Sequence, residues 1–230
     1  MKTRMCMILA MILLSGMFGC GKPETSNPGA ENYRSEGDES TAAATEKLPD
    51  SYLIDQDDNY IDFQTGLECS AFSSAYVLRH FGESADGMKL YENFPEKMAD
   101  GGVMPQGILT LFESRGYVAE YCQDGTIDDL KAEVSKGVPV IVFIHVSEPY
   151  TNPHYTHYVP MVGYDDDYIY LAESLSYLAN CKDETEVPYN RKVEISKFEK
   201  LWSNIDGMWD HPYYVIAQDR KRSYGWGLSD

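Results

Sequence analysis

Near the middle of the chain, Val138-Pro-Val-Ile-Val-Phe-Ile-His145 is apolar almost throughout and mostly β-branched. Such a run fits a buried strand and little else. Most of what precedes it reads as helix. Phe72, Ala75, Tyr76 and Arg79 repeat at three-to-four spacing, which predicts a helix from Ser70 to Phe81 with Gly82 as its stop. A short helix over 86–94 ends before Pro95, another opens at Pro105 and ends at Gly116, and a third spans Thr126 to Lys136. Thr126 is placed to cap this last helix, with Asp128 and Asp129 in its first turn. Before the central run, strand is expected only briefly within 50–62 and over Tyr117–Tyr121. After it come strands over 158–164, 168–171, 191–195 and 212–218, with a short helix capped by Ser196 and reaching Trp202. Asp165-Asp166-Asp167 is read as a tight hairpin turn. Helices first and strands later make the expected class α+β, with helices packed on an antiparallel sheet.

The chain of 230 residues divides into three parts. Residues 1–20 have Lys2 and Arg4, an apolar run from Met5 to Phe18, and Gly19-Cys20 at the end. The run is shorter than the roughly 20 residues a spanning helix needs. It reads as a secretory signal ending in a lipobox-like Met17-Phe18-Gly19-Cys20, with Cys20 as the lipidated residue. Residues 21–47 are mostly small and polar, which predicts a disordered tether. Residues 48–230 form the expected folded domain. It would be held outside the cytoplasm on the membrane and act as a monomer. The formal charge of −18 argues against a nucleic-acid partner.

The predicted first helix of the domain begins beside Cys69. Backbone N–H groups and the helix dipole at such a position favour the thiolate, which is the nucleophilic form. A thiolate nucleophile needs a histidine base, and the base needs a third group to hold its ring. His80 lies eleven residues further along the same helix, about 16 Å away along its axis, too far to serve. His145 ends the buried strand and His211 precedes Pro212. His157 enters the central hairpin, and a turn centred on Asp165-Asp166 sets it opposite Glu173 or Ser174. Cys69, His157 and Glu173 are thus the expected nucleophile, base and acid. The Gln64 side-chain amide, just before the nucleophile, is the expected oxyanion donor. His154-x-x-His157 has no acid or cysteine at ligand spacing nearby, so neither metal nor cofactor is expected. Cys122 and Cys181 could pair outside the cytoplasm.

Gln64, Cys69, Gly137-Val-Pro-Val, His157-Tyr-Val-Pro-Met-Val-Gly-Tyr-Asp-Asp-Asp-Tyr-Ile-Tyr and Ile195-Ser-Lys-Phe-Glu-Lys-Leu-Trp202 together resemble a known family. It is that of the bacterial papain-like cysteine peptidases related to those that trim bacteriocin leaders, the C39-like group. The resemblance implies a papain-like fold with Cys69 as nucleophile, His157 as base and Gln64 as oxyanion donor. The implied activity is hydrolysis of peptides or cell-envelope amides. Three departures stand out: Ser70 follows the cysteine where the family usually has Gly, Gln64 lies one residue nearer than is common, and Glu173 replaces the usual Asp or Asn. They keep a second reading open, in which the fold survives without catalysis as a peptide- or envelope-binding module. Tyr150, Tyr155 and Tyr158 would then grip the ligand.

Overall fold

The computed structural model describes residues 47–56, 58–148, 155–182 and 187–218. The expected signal segment and tether, apart from Lys47, lie outside the described residues, as do Cys20, Tyr150 and His154. The central run becomes β3 (Val140–His145), and every residue of it is buried. Val140, Val142 and Ile144 pack into one core with Leu130 of α4 (Ile127–Val134) and with Phe198 and Trp202 of α5 (Ile195–Trp202). Ile141 and Phe143 pack into another with Ala71 and Leu78 of α1 (Cys69–His80) and Phe112 of α3 (Pro105–Ser114). A strand covered on both faces has no solvent side to mark with polar residues, which accounts for its unbroken apolar sequence.

The sheet runs in the order β2 (Tyr117–Cys122), β7 (Tyr213–Gln218), β3, β4 (Thr156–Tyr164), β5 (Tyr168–Leu171), β6 (Arg191–Glu194). A two-residue β1 (Tyr52–Leu53) pairs with the end of β4. Every pairing is antiparallel. The sheet is open, and the class is α+β as the sequence implied.

Helix α1 is buried more completely than its apolar spacing suggests, because Ser70, Ser73 and Ser74 are buried along with Ala71 and Ala75. Small residues let it lie close to β4, where the Ser73 hydroxyl donates to the Tyr158 carbonyl at 2.8 Å. It ends in a left-handed Gly82 at φ +85°. The following α2 (Gly87–Glu92) starts against the Phe72 ring, which leaves no room for a side chain on Gly87: a Cβ there would stand 2.6 Å from the ring. Thr126 caps α4, as read from the sequence, and the structure adds a capping box closed by Asp129. Ser196 does not cap α5. Glu194 occupies the cap position, and the Ile195 N–H that enters the helix donates to Asp167 O at 2.9 Å.

The β4–β5 hairpin departs from the expected register. Asp165 Oδ1 accepts from the N–H groups of Asp167 and Tyr168 and so closes the acidic turn. The ladder pairs Tyr164 with Ile169 and Gly163 with Tyr170, then slips to Met161 with Leu171 across a bulge. Pro160, which has no N–H to give, lies next to this irregular stretch. The ladder ends at Leu171, so Glu173 does not stand directly across from His157.

Candidate active site

Cys69 is the first residue of α1 and is half-buried. The preceding Glu68 turns its carboxylate back to accept from Gly66 N–H at 2.6 Å, which tightens the loop into the helix. The Cys69 backbone N–H belongs to the first turn, whose donors have no partner within the helix.

His157 comes from β4, paired across the sheet with Ile144, and is 1% exposed. Its Nε2 lies 2.7 Å from Glu173 Oε1, and the Cys69 side chain is close enough to its ring to raise its pKa. With Nε2 engaged by the carboxylate, Nδ1 is the nitrogen left for the thiol. Burial lowers the His157 pKa, but the Glu173 charge, the nearby Cys69 side chain and the Glu173 hydrogen bond outweigh it and raise the pKa above the ordinary imidazole range. Glu173 itself is fully buried. Burial pushes its pKa up, and the opposing charge and hydrogen bond of His157, with help from Arg191 and the Leu175 N–H, bring it below the usual carboxylate range. The two shifts favour the charged forms of both partners.

The carboxylate is held from every side. Leu175 N–H donates to Oε1 at 2.8 Å, and Arg191 Nη1 donates to Oε2 at 2.8 Å. The Glu173 backbone is clamped by Asn190, whose side chain accepts the Glu173 N–H at 2.7 Å and donates to its carbonyl at 2.9 Å. This clamp, rather than cross-strand opposition, brings Glu173 to His157. Sequence reading missed both Arg191 and Asn190. An arginine opening a strand looks solvent-facing, although its pairing with Leu171 sets it two residues from the acid.

Gln64 joins the group from the other side. Its N–H donates to Ser174 O at 2.9 Å, and its side-chain oxygen accepts from the Ser174 hydroxyl at 2.6 Å. Its Nε2 donates to Gly66 O at 2.7 Å. A carbonyl only accepts, so this contact fixes which end of the amide carries hydrogens and leaves one Nε2 hydrogen over. The other described histidines do not join this group. His145 is buried with neither ring nitrogen hydrogen-bonded, and His211 Nδ1 lies 3.0 Å from Asp210. Among the described residues, no group of three His, Cys, Asp or Glu is placed to hold a metal ion. Cys122 is buried at the end of β2 while Cys181 is exposed, and the two are not joined.

The model of the peptidase C39-like family matches residues 50–208, a span that includes every residue of this group. The chain belongs to the peptidase C39-like family. No curated protein matches it. Among solved structures, the peptidase domain of Streptococcus ComA superposes with a TM-score of 0.51 at 14% identity, covering 70% of this chain and 98% of that one. Xylellain, a cysteine protease from Xylella fastidiosa, gives 0.52 at 15% identity, covering 76% and 88%. At these identities the likeness is one of fold, and it is that of papain-like peptidases. Family and fold make the chain a cysteine-peptidase-like hydrolase.

For a family member, the notable feature beside Cys69 is a cleft of about 470 Å³. Its walls are mainly apolar, with Met98, Met104, Phe143, Tyr158 and Trp209, and Ser70 also lines it. Phe143 and Tyr158 stack at 4.2 Å, and Trp209 meets Phe143 edge-on at 5.7 Å, so one wall is a fixed aromatic surface.

Proposed function

We propose that the chain is a thiol hydrolase of peptides or cell-envelope amides that works through Cys69, His157 and Glu173. It is tethered outside the cytoplasm by a lipid on Cys20. The observation that carries the reading is the buried His157 Nε2···Glu173 Oε1 contact of 2.7 Å on a ring whose pKa is also raised by the nearby Cys69. This is a nucleophile, a base and an orienting acid in sequence.

The chemistry follows from the arrangement. With the Cys69 proton already on the imidazolium of His157, whose raised pKa favours that form, the Cys69 thiolate attacks the substrate carbonyl carbon and the carbonyl π pair moves onto oxygen. The Cys69 N–H and the remaining Nε2 hydrogen of Gln64 serve the resulting oxyanion. As the tetrahedral species collapses, the C–N bond breaks and His157 returns its proton to the departing amine. Water then attacks the thioester carbon as His157 accepts a water proton; the second tetrahedral species collapses, the C–S bond breaks, the acid departs, and Cys69 is left as the thiolate beside the imidazolium. Glu173 stays ionised throughout, supporting the imidazolium and fixing which nitrogen faces the sulfur.

The test is digestion of a peptide library by the full chain, with Cys69→Ala as control. Cleavage that disappears in the variant supports the reading. Cleavage that persists, or its absence from both, contradicts it. The lipid is tested by the mass of the membrane-extracted protein, which should show cleavage before Cys20 and an added acyl mass that Cys20→Ala abolishes.

A further inference from the structure

The cleft beside Cys69 joins an apolar wall to an acidic edge. Tyr155 and Thr156, the two residues before His157, line it together with Cys69. A substrate side chain lodged there therefore belongs to a residue close to the scissile bond. Met98, Phe143 and Trp209 offer that side chain apolar and aromatic contact. Asp100 also lines the cleft and is exposed. Its carboxylate is fixed, because Oδ1 accepts from the Gly102 N–H at 3.0 Å. A Cβ built on Gly102 would stand 2.8 Å from Met98 Cε and 3.4 Å from Asp100 Oδ1. The charged oxygen and the thioether methyl thus flank one point of the edge, where Gly102 itself lines the cleft. Burial raises the Tyr91 pKa, and the charges of Glu68, Cys69 and Asp100 add to it, so one phenol feels both the nucleophile and this acid.

The charge on this edge is unanswered. Among the described residues that line the cleft, none is basic. Lys97, next to Met98 in the chain, donates its ammonium to the Tyr91 and Glu92 carbonyls at 2.7 and 3.1 Å. Asp206, exposed and lining the same cleft, adds charge of the same sign. A long side chain with a cationic tip fits both features. Its methylene stem lies along Met98 and the aromatic wall while the tip stays at the wet edge. The faces of Phe143 and Trp209 attract a cation as well. An apolar side chain uses the wall alone, and an acidic one meets like charge. The net charge of −18 steers cationic peptides toward the chain as a whole.

We propose that Asp100 is a specificity-determining residue that draws a basic substrate side chain, lysine or arginine, into this cleft, so that cleavage falls close to a cationic residue. The inference deepens the hydrolase reading and rests on Cys69 as the nucleophile.

The experiment measures kcat/KM of the full chain on peptides in which each of the two residues on either side of the scissile bond is in turn Arg, citrulline or Glu. Citrulline has nearly the shape of arginine without its charge, so the ratio of the two isolates the charge. The expected result is one position where wild type prefers Arg over citrulline by about tenfold, with Glu cleaved least. Asp100→Asn keeps an oxygen for the Gly102 N–H and should lower that ratio to about threefold, the aromatic contribution remaining. The citrulline peptide should be cleaved equally by both, which shows that the variant is folded and its chemistry intact. An Arg-to-citrulline ratio near one at every position, or a preference that Asp100→Asn leaves unchanged, overturns this inference alone. So does a variant that loses citrulline and Arg cleavage in equal measure. Absence of Cys69-dependent cleavage overturns it together with the hydrolase reading.

Discussion

Arg191 Nη1 stands 2.8 Å from Oε2 of Glu173, on the carboxylate oxygen that His157 does not use. The acid that orients the imidazole is thus itself oriented by a buried guanidinium. A glutamate has one more rotatable bond than an aspartate, and the Arg191 contact together with the Leu175 N–H takes up that freedom.

Replacing this arginine should cost both stability and activity. Arg191→Met is expected to lower unfolding free energy by about 3–5 kcal/mol, the range for breaking a buried pair from one side. Arg191 also lowers the Glu173 pKa, so the acid limb of the kcat/KM–pH profile should move to higher pH in the variant. Denaturant titration and a pH–rate profile check the two effects. An unshifted acid limb would show that Arg191 serves only structure.

The paired shifts set a pH window for stability. The folded pKa of His157 is raised, so its contribution is fully present below the unfolded value near 6.5 and fades as pH rises through the folded value. That of Glu173 is lowered, so its contribution is present above the ordinary carboxylate value and fades as pH falls through the folded value. Thermal melts across pH should show a plateau between these limits. His157→Gln should flatten the alkaline decline. An identical decline in wild type and variant would contradict the assignment.

Gln64 is expected to act on the reaction more than on binding. Gln64→Ala removes the Nε2 hydrogen and should reduce kcat by about 10²–10³ with little change in KM. It also strips the Ser174 hydroxyl of its acceptor, so a melt is needed alongside the kinetics. A rise in KM at constant kcat would assign Gln64 to ground-state binding instead.

Gly87 tests the helix packing behind the site. The Cβ of Gly87→Ala would meet the Phe72 ring at 2.6 Å, and the expected cost is about 1–3 kcal/mol by denaturant titration. A neutral result would mean that α2 can move away from α1.

Much of the fold was legible because composition dictated it. The uniform apolarity of β3, the Thr126 cap and the acidic turn after β4 each have one dominant physical explanation, and each stands where the sequence placed it. Register was not legible. The bulge between Met161 and Gly163 shifts the ladder by one residue, and no side chain in the run specifies it. Glu173 and His157 were read as neighbours by direct opposition. They meet instead because Asn190 and Arg191 hold the acid in place beyond the end of the strand. Three serines on α1 looked polar, and the near-complete burial of that helix showed only in three dimensions.

The account rests on Cys69 being activated by His157, and alkylation tests that most directly. Cys181 is exposed whereas Cys69 is half-buried, so accessibility alone favours labelling of Cys181. Burial also raises the Cys181 pKa, which slows it at neutral pH. Site-resolved mass spectrometry after brief iodoacetamide treatment near pH 6 should find Cys69 labelled at least tenfold faster than Cys181, with the advantage lost in His157→Ala. Labelling of Cys181 first in wild type, or a Cys69 rate indifferent to His157, would contradict it.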